Sequence, residues 1–174
     1  MTNVRYSVWL MPPPALREHF AELIDALSRR LGTPRFEPHI TLAAPRGATK
    51  AQALAEAQRL ATHLAPVPVR FDGIDHTDAY FRCLFLRAAK SAELLAAHRR
   101  ACTELGQPVE ADYLPHLSLV YGEIDRADKE KIIAEIAGRH PGEFVADRIA
   151  LCAIVGTPDA WPILGPFSLT GTCV

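Results

Sequence analysis

The chain has 174 residues, which suits one well-buried domain and is too short for two independent domains of ordinary size. Hydrophobic residues make up 49% and charged residues 22%, which excludes the disordered, collagen-like and low-complexity classes. The formal net charge of −1 creates no field strong enough to attract a long polyanion, so any nucleic-acid ligand is expected to be small or bound locally.

Four segments carry the apolar spacing of amphipathic helices. The first covers 15–31, and the second begins at Thr49, where the sequence Thr-Lys-Ala-Gln forms a capping box. The third covers 91–105, and the fourth follows Asp125 as its N-cap. Each helix has one apolar face, so each is expected to pack against another element.

Short runs rich in β-branched and aromatic residues separate the helices and predict strands packed beneath them. The order is strand, helix, strand, helix and two strands, and much the same order begins again at Tyr80. We therefore expect a single domain over 1–174, built from duplicated halves at about 1–78 and 79–174. The predicted strands are 6–11, 39–43, 67–74, 80–87, 116–121, 144–155 and 163–170.

A motif that occurs once in each half supports the duplication. The first and third helices both end in Leu-Gly-x-Pro, and each is followed by Pro-His-apolar-Ser/Thr-Leu, at His39 and at His116. The glycine and proline are ordinary helix stops. Roughly 0.1 matches to His-apolar-Ser/Thr-apolar are expected from this composition. Two matches in equivalent positions therefore indicate a function for both histidines.

Residues i and i+2 of a strand share a face, so His39 is expected beside Thr41 and His116 beside Ser118. If the halves pack about a pseudo-twofold axis, one cleft holds two imidazoles and two hydroxyls. An in-line displacement at phosphorus needs a base and an acid, and histidine, with a pKa of about 6.5, suits both roles. The two hydroxyls would bind the non-bridging phosphate oxygens. This chemistry requires no metal or other cofactor.

Other interpretations of the histidines receive less support. One histidine on a sheet is more often structural than catalytic, and only the duplication reverses that expectation. No third Cys, Asp or Glu stands at zinc-ligand spacing beside either motif, and Gly-x-Ser-x-Gly is absent. The remaining histidines on helices or at a helix end are expected to be solvated or structural: His19, His63, His98 and His140.

Cysteine spacing and hydropathy indicate the cellular setting. The four cysteines are widely separated and form no Cys-x-x-Cys pair, which argues against a disulfide framework and a zinc site. No segment approaches the roughly 20 apolar residues that a membrane span needs. The N-terminus lacks the basic-then-apolar order of a secretory signal. We therefore expect a cytoplasmic protein that has no membrane partner and acts as a monomer.

The two His-x-Thr/Ser motifs resemble the signature of the two-histidine phosphoesterase superfamily. The stretches 6–9, 36–39, 80–83, 115–122 and 149–169 are similar to plant and yeast cyclic phosphodiesterases. The resemblance implies a bilobal α/β (α+β) fold, in which two antiparallel sheets line a central cleft and the helices lie outside. It also implies metal-independent hydrolysis of 2′,3′-cyclic nucleotides, or of ADP-ribose 1″,2″-cyclic phosphate, with a 2′-phosphate as the usual nucleotide product.

The resemblance also implies roles for individual residues. His116 would activate water and His39 would protonate the leaving oxygen, although pseudo-symmetry also allows the reverse. Tyr121 matches a family position near the phosphate. Strand alternation places it on the face opposite Ser118, although a twist or bulge just before Gly122 would re-aim its hydroxyl toward the phosphate. A core aromatic at the end of a strand is an equally good interpretation. The candidates for stacking on a base are Trp161, in a predicted loop, and Trp9 and Phe81, for which packing is the commoner role.

Two arginines and two rival functions remain open. Arg46 and Arg82 carry charge that could neutralise phosphate, although isolated arginines are usually surface residues. One rival function is an RNA 2′,3′-cyclic phosphodiesterase or 2′–5′ RNA ligase-like enzyme, whose partner would be an RNA end. The near-neutral charge argues against long strands. The other rival is a non-catalytic nucleotide-binding domain, which the intact histidines disfavour.

Overall fold

The computed structural model describes residues 4–45 and 47–172, and within these ranges it has four α-helices and eight strands. The helices are α1 (Pro14–Leu31), α2 (Lys50–His63), α3 (Ala92–Glu104) and α4 (Arg126–Ile136). The strands are β1 (Arg5–Leu10), β2 (Ile40–Ala43), β3 (Val67–His76), β4 (Leu84–Ala88), β5 (His116–Val120), β6 (Glu143–Ala146), β7 (Arg148–Ile154) and β8 (Ile163–Ser168).

The helix ends form as the sequence predicts. The Thr49 side chain accepts a hydrogen bond from the Gln52 backbone N–H, and the Gln52 side chain accepts one from the Thr49 N–H, which completes the capping box. The Ser91 side chain caps α3 by accepting a hydrogen bond from the Leu94 backbone N–H, without a reciprocal bond. After α1 and α3, Gly32 and Gly106 have φ of 67° and 64°, the left-handed conformation that terminates a helix.

The strands form one antiparallel sheet in the order β6-β3-β4-β5-β2-β1-β7-β8. Its halves, β6-β3-β4-β5 and β2-β1-β7-β8, meet where β2 pairs with β5 at Ile40 and Leu117. These halves are the two sheets that the resemblance implies, joined at their innermost strands. The expected α+β architecture is therefore confirmed.

Each half of the sheet takes strands from both halves of the chain. β3 lies in the first half of the sequence but pairs with β4 and β6, whereas β7 and β8 lie in the second half and β7 pairs with β1. The chain crosses from one half of the sheet to the other at Asp147, between β6 and β7. The duplication of the sequence stays a prediction.

Two predicted strands differ from the structure. The predicted strand over 80–87 begins only at Leu84, because Tyr80–Arg82 forms a 3₁₀ turn that Thr77 holds through a hydrogen bond from its hydroxyl to the Arg82 carbonyl. The predicted strand over 144–155 is two strands, β6 and β7. Asp147 and Arg148 interrupt this apolar segment at the switch, but two charged residues do not reveal that the strands before and after them have different partners.

Alternating side chains of the inner strands separate the core from the opposite face. In β1, Val8 and Leu10 belong to the main core, which also contains the buried faces of all four helices. Trp9 belongs to a separate small cluster that includes Met11 and Cys152. One face of the sheet is therefore covered by helices, and Trp9 marks the other. Within the described ranges, no helix is both long and apolar enough to cross a membrane.

Candidate active site

The two motif histidines lie where the halves of the sheet meet. His39 directly precedes β2, and His116 is the first residue of β5, the strand that pairs with β2. Ile40 and Leu117, the residues that follow them, are fully buried in the main core. Because alternate residues of a strand face opposite sides, both histidines face away from the helices.

The register of the strands places the two hydroxyls on the same face. Thr41 pairs with Trp9. Ser118 pairs with Phe85, and it lies two residues along β5 from His116, which pairs with Arg87. A charge on His116 acts on the ring of His39. The structure therefore brings two imidazoles and two hydroxyls to one face, within electrostatic reach of each other.

A backbone carbonyl two residues earlier fixes each imidazole. His39 Nδ1 lies 2.6 Å from the Glu37 carbonyl, and His116 Nδ1 lies 2.7 Å from the Leu114 carbonyl. A carbonyl oxygen only accepts, so both Nδ1 atoms carry hydrogen, and in the neutral ring Nε2 carries the lone pair. The intervening proline restricts the residue before it to an extended conformation, which aims the carbonyl at the ring. The geometry thus leaves both Nε2 atoms for chemistry.

Burial makes both rings poor cations in the free protein. It lowers the pKa of His39 to about 3; the Glu37 carbonyl opposes this shift, and charge on His116 adds to it. His116 is only half-buried, and burial lowers its pKa too, against the Leu114 carbonyl and together with the charge of Arg82. Both rings are therefore neutral at pH 7 until an anion enters the site.

The two hydroxyls differ in their contacts. Ser118 is buried, and its hydroxyl donates to the Phe81 carbonyl at 3.1 Å. The Thr41 hydroxyl is partly exposed and makes no hydrogen bond to any described residue. Its backbone carbonyl accepts a hydrogen bond from the Tyr113 hydroxyl at 2.8 Å. Thr41 is thus ready to donate to a ligand, whereas Ser118 must first leave its present acceptor.

Tyr121 lies beside Ser118 because β5 ends at Val120, so strand alternation no longer determines its direction. Its ring stacks on Phe36, with ring centroids 3.6 Å apart and planes 16° apart. Burial raises the pKa of the Tyr121 hydroxyl, and a contact with the Ser118 side chain opposes that shift. The hydroxyl is therefore neutral and stands next to one of the two proposed phosphate donors.

Three base-stacking candidates belong to one aromatic cluster, consisting of Trp9, Phe36, Phe81, Tyr121 and Trp161. Phe81 and Trp161 lie 5.8 Å apart between ring centroids. Phe81 is 50% exposed and Trp161 is partly exposed, so both offer surface to a ligand. Trp9 is 1% exposed. The burial of this ring fits the packing role that is the commoner expectation for Trp9, and stacking of Trp161, Trp9 or Phe81 on a base stays a prediction.

His98, which was expected to be solvated or structural, is buried beside β2, and its stacking on Tyr113 was not predicted. The buried ring of His98 contacts the Leu42 carbonyl through Nδ1 at 2.7 Å and stacks on Tyr113, with centroids 3.6 Å apart. A signal was present: an aromatic residue, Phe36 or Tyr113, stands three positions before each motif histidine. The repeated motif therefore extends upstream to aromatic-x-Pro-His.

The structure describes only one of the two arginines whose charge could neutralise phosphate. Arg46 lies outside the described residues. Arg82 is close enough for its charge to lower the pKa of His116, and its buried Nε has no hydrogen-bond partner among the described residues. Within those residues, no three His, Cys, Asp or Glu side chains cluster closely enough to bind one metal ion.

Paired His-x-Thr and His-x-Ser strands at the junction of two antiparallel half-sheets define a two-histidine phosphoesterase. A family model described as the 2′-5′ RNA ligase superfamily matches residues 12–157, and the chain belongs to this superfamily. A relative named cyclic phosphodiesterase, from Arabidopsis thaliana, is 28% identical over an alignment of 151 residues that covers 84% of this chain and 83% of the relative.

Solved structures confirm the fold. TT0787 of Thermus thermophilus is 20% identical, with a TM-score of 0.63 over 96% of this chain and 98% of that one. E. coli LigT, solved in complex with 3′-AMP, is 13% identical, with a TM-score of 0.61 over 97% of this chain and 99% of that one.

Proposed function

We propose that this protein hydrolyses 2′,3′-cyclic nucleotides to nucleoside 2′-phosphates, with His39 and His116 as the acid–base pair. One observation carries the proposal. Two histidines on adjoining strands are each anchored through Nδ1 to a backbone carbonyl, which leaves two Nε2 atoms on one face beside two hydroxyls. The name of the 28% identical relative, cyclic phosphodiesterase, supports the same reaction class.

The proposed step is a displacement at phosphorus. A water oxygen forms a bond to phosphorus while one imidazole Nε2 accepts a proton from that water. The bond between phosphorus and the 3′ oxygen breaks, and the other imidazole, protonated at Nε2, gives its proton to that oxygen. Thr41 and Ser118 donate to the non-bridging oxygens, where negative charge increases in the transition state. One water is consumed, and the two histidines end with their protonation states exchanged.

The pH dependence of the reaction rate follows from which of the two imidazole rings carries a proton. Both rings are neutral in the free protein, and the reaction needs one of them charged. The anionic phosphate raises both pKa values on binding, so we propose that substrate binding takes up a proton. The resemblance assigns this proton to His39, whereas burial favours placing it on the more exposed His116. A substrate with a good leaving group separates the assignments, because the variant that lacks the acid keeps activity on it.

The surroundings of the cluster favour a small substrate. A groove of about 460 Å³ adjoins it, bounded by Trp9, Phe36 and Trp161 on one side and by α1 on the other. Its charged lining is mostly acidic: Glu18, Glu22 and Asp159, together with Asp25, which pairs with Arg29 and Arg35, and Glu37, which pairs with Arg17. Carboxylates repel additional phosphate groups. We therefore propose a preference for cyclic mononucleotides over ADP-ribose cyclic phosphate and over RNA ends.

The decisive experiment offers the protein three substrates: 2′,3′-cyclic mononucleotides, an oligonucleotide ending in a cyclic phosphate, and ADP-ribose 1″,2″-cyclic phosphate. Phosphorus NMR or chromatography then identifies the 2′- or 3′-phosphate formed. His39→Ala and His116→Ala should each abolish turnover while the fold persists. His19→Ala, at an exposed position on α1, is the matched control and should retain the full rate.

Each alternative has its own outcome. Near-normal turnover in either alanine variant removes that histidine from the mechanism. Tight binding of AMP without turnover of any substrate identifies a non-catalytic nucleotide-binding domain. A higher kcat/KM for the oligonucleotide than for the mononucleotide identifies an enzyme that acts on RNA ends.

A further inference from the structure

The buried indole of Trp9 lies flat against the imidazole of His39. The ring centroids are 3.5 Å apart and the planes differ by 8°. Trp9 is 1% exposed, and its Nε1 donates to the Ser7 hydroxyl at 2.8 Å on the same strand face. The indole is therefore fixed by its own hydrogen bond and by burial, independently of any ligand.

This stack and the Glu37 carbonyl together restrict both rotations of the His39 ring. The parallel indole determines the plane of the imidazole. The 2.6 Å contact from Nδ1 to the carbonyl determines its rotation within that plane. With both fixed, Nε2 has a single direction. Misplacement of a reacting group by about 1 Å can cost two orders of magnitude in rate, so fixing this direction matters for catalysis.

The second histidine has a different neighbour. The phenyl ring of Phe85 meets His116 edge-on, with centroids 5.1 Å apart and planes 62° apart. Trp9 and Phe85 occupy corresponding positions, since each pairs across strands with the hydroxyl residue of a motif, Thr41 or Ser118. The site is thus symmetric in its histidines but asymmetric in their aromatic supports.

We propose that Trp9 is a positioning residue for His39, which holds the imidazole plane so that Nε2 faces the phosphoryl group, and that Ser7 holds Trp9 in turn. The proposal rests on the proposed function of His39. A role in stacking on a nucleobase does not fit, because the ring is buried and one face lies on His39. A role in packing alone does not explain why the two rings are nearly parallel and why the indole N–H has its own acceptor.

The stack also affects the charged state of His39. The face of an indole attracts a cation, so it favours the imidazolium that an anionic substrate would induce. Among the described residues, the charge that acts on His39 comes from His116 on β5, whereas the Glu37 carboxylate pairs with Arg17. On this face, strands β1 and β2 contribute the uncharged residues Ser7, Trp9 and Thr41 next to His39. The charged residues that β1 and β7 add to the face are Arg5, an exposed residue at the start of β1, and Arg148 on β7, which pairs with Asp147.

The test compares Trp9→Leu, Trp9→Phe and Ser7→Ala with the parent protein on a 2′,3′-cyclic mononucleotide. We expect Trp9→Leu to lower kcat about 10- to 100-fold, with KM changed less than about 2-fold. Trp9→Phe, which retains an aromatic face, should recover much of the loss, and Ser7→Ala should show a smaller loss. Phe144→Leu, a core variant on β6, controls for destabilisation and should keep its kcat.

NMR titration of the His39 ring, with inorganic phosphate as the probe, detects the stacking of Trp9 on His39 without requiring turnover. We expect Trp9→Leu to move the His39 ring resonances, with little change at His116. A rise in KM at constant kcat would identify Trp9 as a substrate-binding residue. Unchanged His39 resonances would mean that the stack does not hold the ring. Either result overturns the proposal, whereas activity that survives in His39→Ala overturns the proposed function.

Discussion

Acidification should destabilise this protein through His39 by an amount that follows from its burial. The unfolded chain binds a proton at His39 below about pH 6.5, whereas the folded protein excludes it until about pH 3. Between these values the unfolded state holds more protons, so the free energy of unfolding falls as the pH falls. The slope is about 1.4 kcal/mol per pH unit, which gives a loss of about 2 kcal/mol at pH 5.

Urea unfolding of the parent protein and of His39→Gln at pH 7 and pH 5 isolates this contribution. Glutamine does not titrate, and the surface ion pairs and His116 are common to both proteins and cancel in the comparison. The parent should lose about 2 kcal/mol more than the variant between the two pH values, a difference of about 1 M in urea midpoint for m near 2 kcal/mol/M. Parallel losses in the two proteins would show that folding leaves His39 with an ordinary pKa, and would refute the argument from burial.

Three further predictions concern the substrate site. Thr41→Val and Ser118→Ala should each lower kcat/KM about 10- to 150-fold, because each removes a charge-assisted hydrogen bond that contributes about 1.5–3 kcal/mol. Steady-state kinetics measures this loss, and an unchanged kcat/KM would exclude that hydroxyl from phosphate binding. Dialysis against EDTA should leave kcat unchanged because the histidines supply both acid and base, and activity that returns only with a divalent metal would contradict this. Trp161→Ala should raise KM about 5-fold or more at similar kcat through lost stacking, whereas a constant KM would place the base elsewhere.

The sequence predicted the elements that carry the site because their signals are local. The capping box at Thr49 and the terminal glycines require only neighbouring residues, and the alternation around His39 and His116 fixes which face each side chain takes. The contacts of Trp9 cannot be predicted from such local sequence signals. Its alternation places it on the face of the histidines, but only the pairing of β1 with β2 reveals that its ring lies on His39.

The remaining differences from prediction arise where the chain leaves its local pattern. Tyr121 follows the last residue of β5, so the period of two residues that predicted its direction had already ended. The run from 144 to 155 is apolar apart from Asp147 and Arg148, and the strands on either side of Asp147 pair with β3 and β1, which are distant from each other in sequence. Pairing across the sheet depends on tertiary packing, which hydropathy along one segment does not encode.

Because β3 pairs with β4 while β7 pairs with β1, neither the first 78 residues nor the remainder possesses a complete set of paired strands. A fragment cut between these segments would expose unpaired edges and is expected to aggregate rather than to fold. The two histidines are therefore expected to be held together only once β7 has paired with β1, so the catalytic pair and the completed sheet should form together.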